Sequence, residues 1–293
     1  MTAGDAKEFR WGLERRLEFI EFRLFWEGGI NRSDLVEEFG VSVPQASKDL
    51  TLYQEQAPDN IRYDRSQKRY FASDSFLPKF IQLDAAAYLE RLAHSLGPVQ
   101  AGSEGLGTSI LSADMLPIPQ RRIKADVLRS LLACARGSCS IEILYQSMSG
   151  ARPDPLWRRI SPHAFGSDGL RWHVRAFCHI DEKFKDFIIS RCLDTRGAGP
   201  LGVAASDDQI WNANFSVVLA PNPRLNASQQ EIIAQDYGME NGCVAVPVRR
   251  AMLYYFSKRL RLDGAARFDD PREAPVIVQN RHEFNVALSE AMR

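Results

Sequence analysis

Apolar residues recur every three or four positions near the start of the chain, which is the period of an α-helix that buries one face. The stripe runs from Leu13 to Leu24. It predicts a helix over residues 8–26 that ends at Gly28-Gly29. Aromatic residues widen the apolar surface, so this helix is expected to pack on two sides. They are Phe9, Phe19, Phe22, Phe25 and Trp26.

The next pattern predicts two helices followed by a hairpin. A short helix over residues 34–39, capped by Ser33, precedes a second helix over residues 44–56. Two short extended runs, 60–64 and 69–72, then flank a polar turn. This order is typical of a winged helix-turn-helix, in which the second helix of the pair enters the major groove of DNA through its N-terminal residues.

On this interpretation the polar residues of the second helix approach base edges or nearby phosphates, and the cations of the hairpin neutralise phosphates. The alternative is a small helical domain with a solvated hairpin. The slight acidity of residues 1–80, with 12 basic and 14 acidic residues, favours that alternative. The candidate DNA-binding residues are Ser42, Gln45, Ser47, Lys48, Asp49 and Thr51 in the helix, and Arg65, Lys68 and Arg69 in the hairpin.

The remaining pattern predicts a linker and two further folding units. A helix over residues 81–96 is followed by a stretch rich in Gly, Ser and Pro, 97–120, which predicts a linker. A helix over residues 121–135 leads to four short alternating strands between residues 139 and 193. Their spacing of about ten residues indicates a small antiparallel barrel or sandwich. Residues 206–293 alternate strands and helices, which predicts a small α+β unit.

Composition limits the class of protein. The 293 residues are 45% hydrophobic and 25% charged, with a formal net charge of +0, so the chain has enough apolar material for globular domains. No apolar stretch approaches the ~20 residues of a membrane span, and the N-terminus lacks the apolar core of a signal peptide. We therefore expect a cytoplasmic protein. The five cysteines are odd in number and form no C-x-x-C pair, so we expect free thiols and no metal site.

One predicted strand concentrates positive charge. Residues 121–196 hold 14 basic and 8 acidic residues, and side chains alternate between faces along the strand 171–179. One face receives Trp172, Val174, Ala176 and Cys178. The other receives Arg171, His173, Arg175, Phe177 and His179. This second face either binds a phosphate or a base, or is an outward, solvated face.

Catalytic motifs are absent from the sequence. It contains no H-E-x-x-H, no Walker A loop and no G-x-G-x-x-G. We expect no enzymatic activity and no cofactor. A nuclease or nucleotide hydrolase within the basic barrel is the one enzymatic alternative.

The middle segment contains a series of short motifs, in the order Tyr145-Gln146-Ser147, Gly150, Arg159-Ile160-Ser161-Pro162-His163, Arg171-Trp172-His173-Val174 and Phe187-Ile188-Ile189-Ser190-Arg191. This ordered set resembles the strands of a WYL domain. The match covers about residues 121–196. The sequence departs from the family where His173 replaces Tyr and Val174 replaces Leu, which puts the identity of the ligand in doubt.

The resemblance extends to a multidomain α+β architecture. It implies a winged helix-turn-helix domain over residues 1–96, a linker over 97–120, a Sm/SH3-like β-barrel (the WYL ligand-sensing domain) over 121–200, and a C-terminal dimerisation domain over 201–293. The N-terminal part, with the run Val-Ser-Val-Pro-Gln-Ala-Ser-x-Asp-Leu over residues 41–50, resembles single-chain WYL repressors found beside the bacterial anti-phage systems BREX and CBASS.

The family implies a homodimeric, sequence-specific repressor on an inverted-repeat operator, released when a nucleotide or nucleic-acid ligand binds the WYL domain. The alternatives are an activator of the same architecture, or a protein-interaction or nucleic-acid-sensing module without its own operator. The implied ligand-binding residues are Tyr145, Ser147, His163, Arg171, His173, Arg175 and Arg191.

Overall fold

The computed structural model describes residues 3–95, 113–150, 152–200, 202–263 and 270–292. The chain divides into two compact units, Met1–Pro117 and Ile118–Arg293. Most of the predicted linker lies outside the described residues.

The first unit is a winged helix. In chain order it contains α1 (Ala3–Trp26), α2 (Arg32–Phe39), α3 (Val43–Gln56), β1 (Ile61–Asp64), β2 (Arg69–Ala72) and α4 (Ala85–Ser95). The two strands pair as an antiparallel hairpin, with Tyr63 opposite Tyr70. The core contains Leu17, Ile20, Leu24, Leu35, Leu50 and Tyr53, which are all buried.

The start of α2 differs from the prediction. The cap is Asn31, whose side chain accepts a hydrogen bond from the backbone of Asp34 while the Asp34 carboxylate accepts one from the Asn31 backbone. Ser33 is not the cap, because its hydroxyl donates to the Asn31 side chain at 2.6 Å. The reciprocal pair satisfies two N–H groups of the first turn, which a lone serine could not do.

The loop after α1 extends the wing by one strand position. Ile30 and Tyr70 exchange two backbone hydrogen bonds, both 2.8 Å long. Gly29 precedes this bridge with a φ of +128°, and a Cβ there would collide with the Tyr70 carbonyl. Glycine is therefore required where the loop passes close to the wing.

The second unit begins with α5 and a five-stranded sheet. Its elements are α5 (Ala125–Arg136), β3 (Ser140–Tyr145), β4 (Leu156–Ser167), β5 (Trp172–Cys178), β6 (Lys183–Ile188) and β7 (Cys192–Gly199). The strand order is β6-β5-β4-β3-β7, and every pair is antiparallel.

This sheet corrects two predictions. The pairing does not close into the expected Sm/SH3-like barrel, because β6 and β7 are the two edges and do not pair with each other. The run 184–193, predicted as one strand, is the end of β6, a 3₁₀ turn at Ile189–Arg191 and the start of β7. The turn ends one edge strand and sends the chain to the opposite edge. The alternating pattern could not reveal this turn, because Ile188, Ile189 and Cys192 are buried throughout it.

The rest of the second unit is the predicted α+β fold. It contains α6 (Gln209–Asn212), β8 (Asn214–Pro221), α7 (Ala227–Asp236), β9 (Val244–Arg249), α8 (Leu253–Arg259), β10 (Val276–Val278) and α9 (Arg281–Met292). Its sheet has the order β10-β8-β9 and is antiparallel. The core includes Val217, Leu219, Leu253, Val276 and Phe284.

The expectation of free thiols is wrong for two cysteines. Cys134 at the end of α5 and Cys139 before β3 form a disulfide, with their Cα atoms 5.0 Å apart. The chain turns back sharply between them, with Ser138 at a φ of +51°. Cys178, Cys192 and Cys243 are free. Among the described helices, none is long and apolar enough to cross a membrane.

Candidate nucleic-acid interface and charged sheet face

The N-terminal half of α3 carries the helix residues that the sequence predicts to approach DNA. The Ser42 hydroxyl caps it and accepts from the Gln45 backbone N–H at 3.4 Å. Lys48 is exposed. The hydroxyls of Ser47 and Thr51 donate to carbonyls four residues earlier, at 3.0 and 2.9 Å. Their protons are therefore used within the helix, whereas Lys48 extends an exposed cation from the same part of α3.

Asp49 points into the protein. It is 1% exposed, and its carboxylate accepts from Arg16 Nε of α1 at 2.7 Å. It also accepts from Gln45 Nε2 at 2.9 Å. Sequence reasoning placed Asp49 among the residues that approach DNA. The structure uses it to tie α3 to α1 and to orient the Gln45 side chain.

The wing separates its cations into two groups. Asp64 accepts hydrogen bonds from two backbone N–H groups of the turn, at 2.7 and 3.1 Å, which hold the tip in shape. Arg65 and Lys68 are exposed at this tip. Arg69 is half-buried instead, and its guanidinium donates to the Gly29 carbonyl at 2.7 Å. Arg65 and Lys68 are therefore accessible to a phosphate, whereas Arg69 is held by the loop.

In the second unit, β5 buries both of its faces. Alternate residues from Val174 to Cys178 enter the hydrophobic core, as predicted. Trp172 does not join them and is 55% exposed. The opposite face does not meet solvent either, since His173 is 2% and Arg175 is 5% exposed. The cationic face is thus neither an open phosphate site nor a solvated surface.

Two carboxylates neutralise that face. Asp208, the N-cap of α6, accepts from Arg175 Nε at 2.7 Å and from its terminal nitrogen at 3.1 Å. His163 Nε2 lies 3.0 Å from the same carboxylate. Arg175 also contacts Asp186 at 3.3 Å, and the Tyr255 hydroxyl donates to Asp186 at 3.3 Å. These residues form a charged seam between the five-stranded sheet and the C-terminal elements.

Burial and pairing shift the pKa values in the seam. Burial opposes ionisation of Asp208, but hydrogen bonds from His163 and Arg175 outweigh it and hold the Asp208 pKa well below its usual range. Burial, together with the Asp186 charge, raises the pKa of Tyr255. Burial lowers the pKa of His173, whose ring packs against Tyr255 at a centroid distance of 4.6 Å.

The other predicted ligand residues lie at the edge of the sheet or in its turns. Tyr145 is buried, its hydroxyl accepts from a β6 backbone N–H at 3.3 Å, and burial raises its pKa. Ser147 follows it, and the backbone N–H between these two residues donates to the Arg191 carbonyl at 3.1 Å. Arg171 pairs with Asp168 at 2.8 Å in the β4–β5 turn. The structure therefore brings Tyr145 and Arg191 together, whereas the Ser147 hydroxyl accepts from the Ser149 backbone N–H at 3.1 Å.

Sequence reasoning missed the acidic half of the seam. Asp186 lies directly opposite Arg175 in the β5–β6 register, so a prediction of that hairpin's register could have found it. Asp208 precedes a helix of four residues, too short to give a periodic signal. Tyr255 lies in α8, and no sequence signal connects it to the sheet.

Comparisons with known proteins agree with the fold. A model described as the BrxR transcriptional regulator winged helix-turn-helix domain matches residues 12–94. A second model, the BrxR transcriptional regulator C-terminal dimerization domain, matches residues 214–284. The predicted winged helix and dimerisation domain are thereby confirmed.

Full-length relatives are similar over nearly the whole chain. The chain is 39% identical to a Stenotrophomonas maltophilia protein over 99% of its own length and 97% of the relative's. It is 36% identical to one from Escherichia coli (96% and 93%) and 39% identical to one from Pseudomonas aeruginosa (97% and 94%). Each of the three is named DNA-binding transcriptional repressor CapW.

Proposed function

The chain belongs to the CapW family of DNA-binding transcriptional repressors, and from that premise we propose that it binds an inverted-repeat operator as a homodimer and releases it when an anionic ligand engages the charged seam. The winged helix supplies DNA binding, and the C-terminal dimerisation domain supplies the two-fold symmetry. Two recognition helices related by such an axis would read half-sites one helical turn apart, or a multiple of it.

The observation that carries the DNA-binding proposal is the arrangement of α3 and the wing. Gln45 and Lys48 stand on the N-terminal half of α3, and Asp49 holds the Gln45 amide in place. Arg65 and Lys68 are exposed at the wing tip. In this proposal Gln45 contacts a base edge, and the three cations contact phosphates.

A gel shift tests this proposal. Purified protein is mixed with DNA from upstream of its own gene, at stated salt and with unrelated competitor DNA. We expect a discrete shift that resists the competitor. Gln45→Ala should relax sequence preference, whereas Lys48→Ala should weaken binding to all sequences. Arg136→Ala, an exposed arginine on α5, is the matched control. A shift lost to competitor would refute sequence-specific recognition.

The C-terminal domain is the proposed dimer interface. Its helix α7 exposes Ile232, which is 57% accessible and lines an apolar groove with Leu225, Ile233 and Pro275. A protein truncated at about residue 200 should run as a monomer in analytical ultracentrifugation, whereas the full chain should run as a dimer. A truncated protein that remained dimeric would place the interface elsewhere.

The proposed effector is a nucleotide or nucleic acid whose phosphate competes with Asp208 for Arg175. Arg175 is held by two carboxylates rather than by one, so it can exchange a partner without becoming unpaired. Displacement of Asp208 would free the segment 205–212, which leads into the C-terminal domain. Such a ligand controls the operator only if it binds one arrangement of the dimer better than the other.

Release of a fluorescent operator, followed by anisotropy, tests ligand control. The probes are ATP and a single-stranded dT oligonucleotide. Asp208→Asn should lower the probe concentration that releases the operator, because the competing charge is gone. Arg191→Ala should raise that concentration if Tyr145, Ser147 and Arg191 extend the site. Arg136→Ala should change nothing. If both variants release the operator at the same probe concentration as the parent protein, the ligand site lies elsewhere.

A further inference from the structure

A chain of hydrogen bonds runs from α1 through the interior of the winged helix to the polar face of α3. Arg16 Nε donates to Asp49 Oδ2 at 2.7 Å, and an Arg16 terminal nitrogen donates to Asp49 Oδ1 at 3.3 Å. Asp49 Oδ1 also accepts from Gln45 Nε2 at 2.9 Å. Arg16 and Asp49 are buried, whereas Gln45 is half-buried. A buried pair of charges therefore ends on a side chain that reaches the protein surface.

The Asp49 carboxylate fixes which way round the Gln45 amide lies. A carboxylate paired with a guanidinium offers acceptors only, so it faces the Nε2 group of the amide and not the Oε1 oxygen. Rotation of the amide by ~180° would bring Oε1 against Oδ1, and the two oxygens would repel each other. The bond to Asp49 uses one of the two hydrogens of Nε2. The amide therefore retains one N–H donor and the Oε1 acceptor for another partner.

Arg16 in turn holds the carboxylate. Its guanidinium contacts both Asp49 oxygens, and a contact at two points fixes the plane of a carboxylate as well as its position. Gln45 is the third residue of α3, one turn before Asp49. The N-terminal residues of a recognition helix are the ones that contact base edges. The orientation that Arg16 imposes on Asp49 thus reaches a residue placed to contact a base.

We propose, on the basis of the repressor function proposed above, that Gln45 reads an adenine and that Arg16 is the positioning residue for this contact. In the major groove adenine presents the N7 acceptor beside the N6 amino donor, which match one N–H and the oxygen of a glutamine amide. Guanine presents two acceptors, N7 and O6, so its O6 meets the Oε1 oxygen and is repelled. A flipped amide would set its own N–H against the adenine N6 amino group. The order of donor and acceptor that Asp49 imposes therefore decides the preference.

Selection from a random DNA library, followed by sequencing, tests the proposal with the full chain. The parent protein defines the preferred operator. Gln45→Ala should remove the preference at one position of each half-site, where the parent protein selects adenine. Fluorescence anisotropy at stated salt then compares operators that carry each of the four bases at that position. We expect the adenine operator to bind at least about tenfold more tightly than the other three. Replacement of this adenine by 7-deazaadenine, which lacks the N7 acceptor, should weaken binding.

Variants of the buried pair separate positioning from folding. Arg16→Met combined with Asp49→Leu replaces the pair by apolar side chains, and hydrogen exchange shows whether the winged helix stays folded. The ratio of affinities for adenine and non-adenine operators should still fall about tenfold, because leucine cannot orient the Gln45 amide. A pair that serves the fold alone would leave that ratio unchanged, since a uniform loss of binding cancels in it.

A second variant keeps the charge. Arg16→Lys contacts the carboxylate at one point instead of two, so it should lower the same ratio, and it decides the question if the double variant is unfolded. Arg15→Lys, at the exposed position next to Arg16 on α1, is the matched control and should leave the ratio unchanged.

Three outcomes would overturn this inference: a base other than adenine at the position that depends on Gln45, a Gln45→Ala variant that selects the parent's operator unaltered, and a folded double variant with the parent's ratio of affinities. None of them contradicts the proposed repressor function, because selection of any discrete operator by the parent protein supports it. A parent protein that selects no sequence would instead refute the repressor proposal and this inference together.

Discussion

The buried ion pair between Arg16 and Asp49 joins the proposed recognition helix α3 to α1, which packs behind it. Arg16 Nε and Asp49 Oδ2 are 2.7 Å apart, and the two side chains are 11% and 2% exposed. At ~4 Å between charge centres and an effective dielectric constant of ~20, their attraction is about 4 kcal/mol. Desolvation costs several kcal/mol per ion, so the pair as a whole contributes little to stability. Removing one member should nevertheless lower stability strongly, because the other charge stays buried without a counter-charge.

The perturbation is Arg16→Met and Asp49→Leu, made singly and together. Each single variant should lower the free energy of opening of the winged helix by about 3–5 kcal/mol. The double variant should recover most of that loss, because two apolar side chains of similar volume replace the pair. The two single losses sum to about 6–10 kcal/mol, so a double variant within about 1 kcal/mol of the parent protein corresponds to a coupling energy of about 5–9 kcal/mol.

Hydrogen exchange with mass spectrometry on the full chain is the assay. Peptides from α1 and α3 report the local free energy of opening, so the two units need not unfold in one step. Arg136→Met, an exposed change in the second unit, should leave those peptides unchanged. Single variants within ~1 kcal/mol of the parent protein, or a double variant that loses as much as the two single variants together, would contradict this account of the ion pair.

Four further predictions concern charge. Arg65→Ala and Lys68→Ala should each reduce the slope of log K against log salt by about 1, which corresponds to the loss of one phosphate contact. Arg69→Ala should instead lower the winged helix's melting temperature in calorimetry, because it removes the hydrogen bond to the α1–α2 loop. Folding depresses the pKa of His173, so the unfolded chain binds a proton that the folded chain does not. Stability should fall as pH drops below ~6.5, and His173→Phe should remove up to ~1.4 kcal/mol per pH unit of that slope in urea titrations. The depressed pKa of Asp208 acts in the same direction at lower pH. The stability that the Asp208 carboxylate contributes is present above pH ~4 and is lost on acidification. Asp208→Asn should therefore flatten the acid limb of the stability curve below pH ~4.

The elements of this protein follow from local sequence. The periodic stripe of α1, the Ser42-Val43-Pro44 start of α3 and the alternating runs of the wing each predict their element to within a few residues. These signals are local: a cap, a turn or an apolar period depends on residues a few positions apart. The same local order carried the resemblance to a family of regulators, which the relatives confirm.

The environment of the charged residues was decided by tertiary structure. Arg175 and Asp49 look alike in the sequence, as polar residues available to a ligand or to DNA, yet both are buried in ion pairs with residues 33 positions away. Whether a charge is free or neutralised depends on which distant carboxylate or guanidinium the fold brings within ~4 Å. Neither periodicity nor composition contains that distance. The sequence by itself determined which elements form and in what order, and the packing of those elements decided which of the cations remain available to an anion.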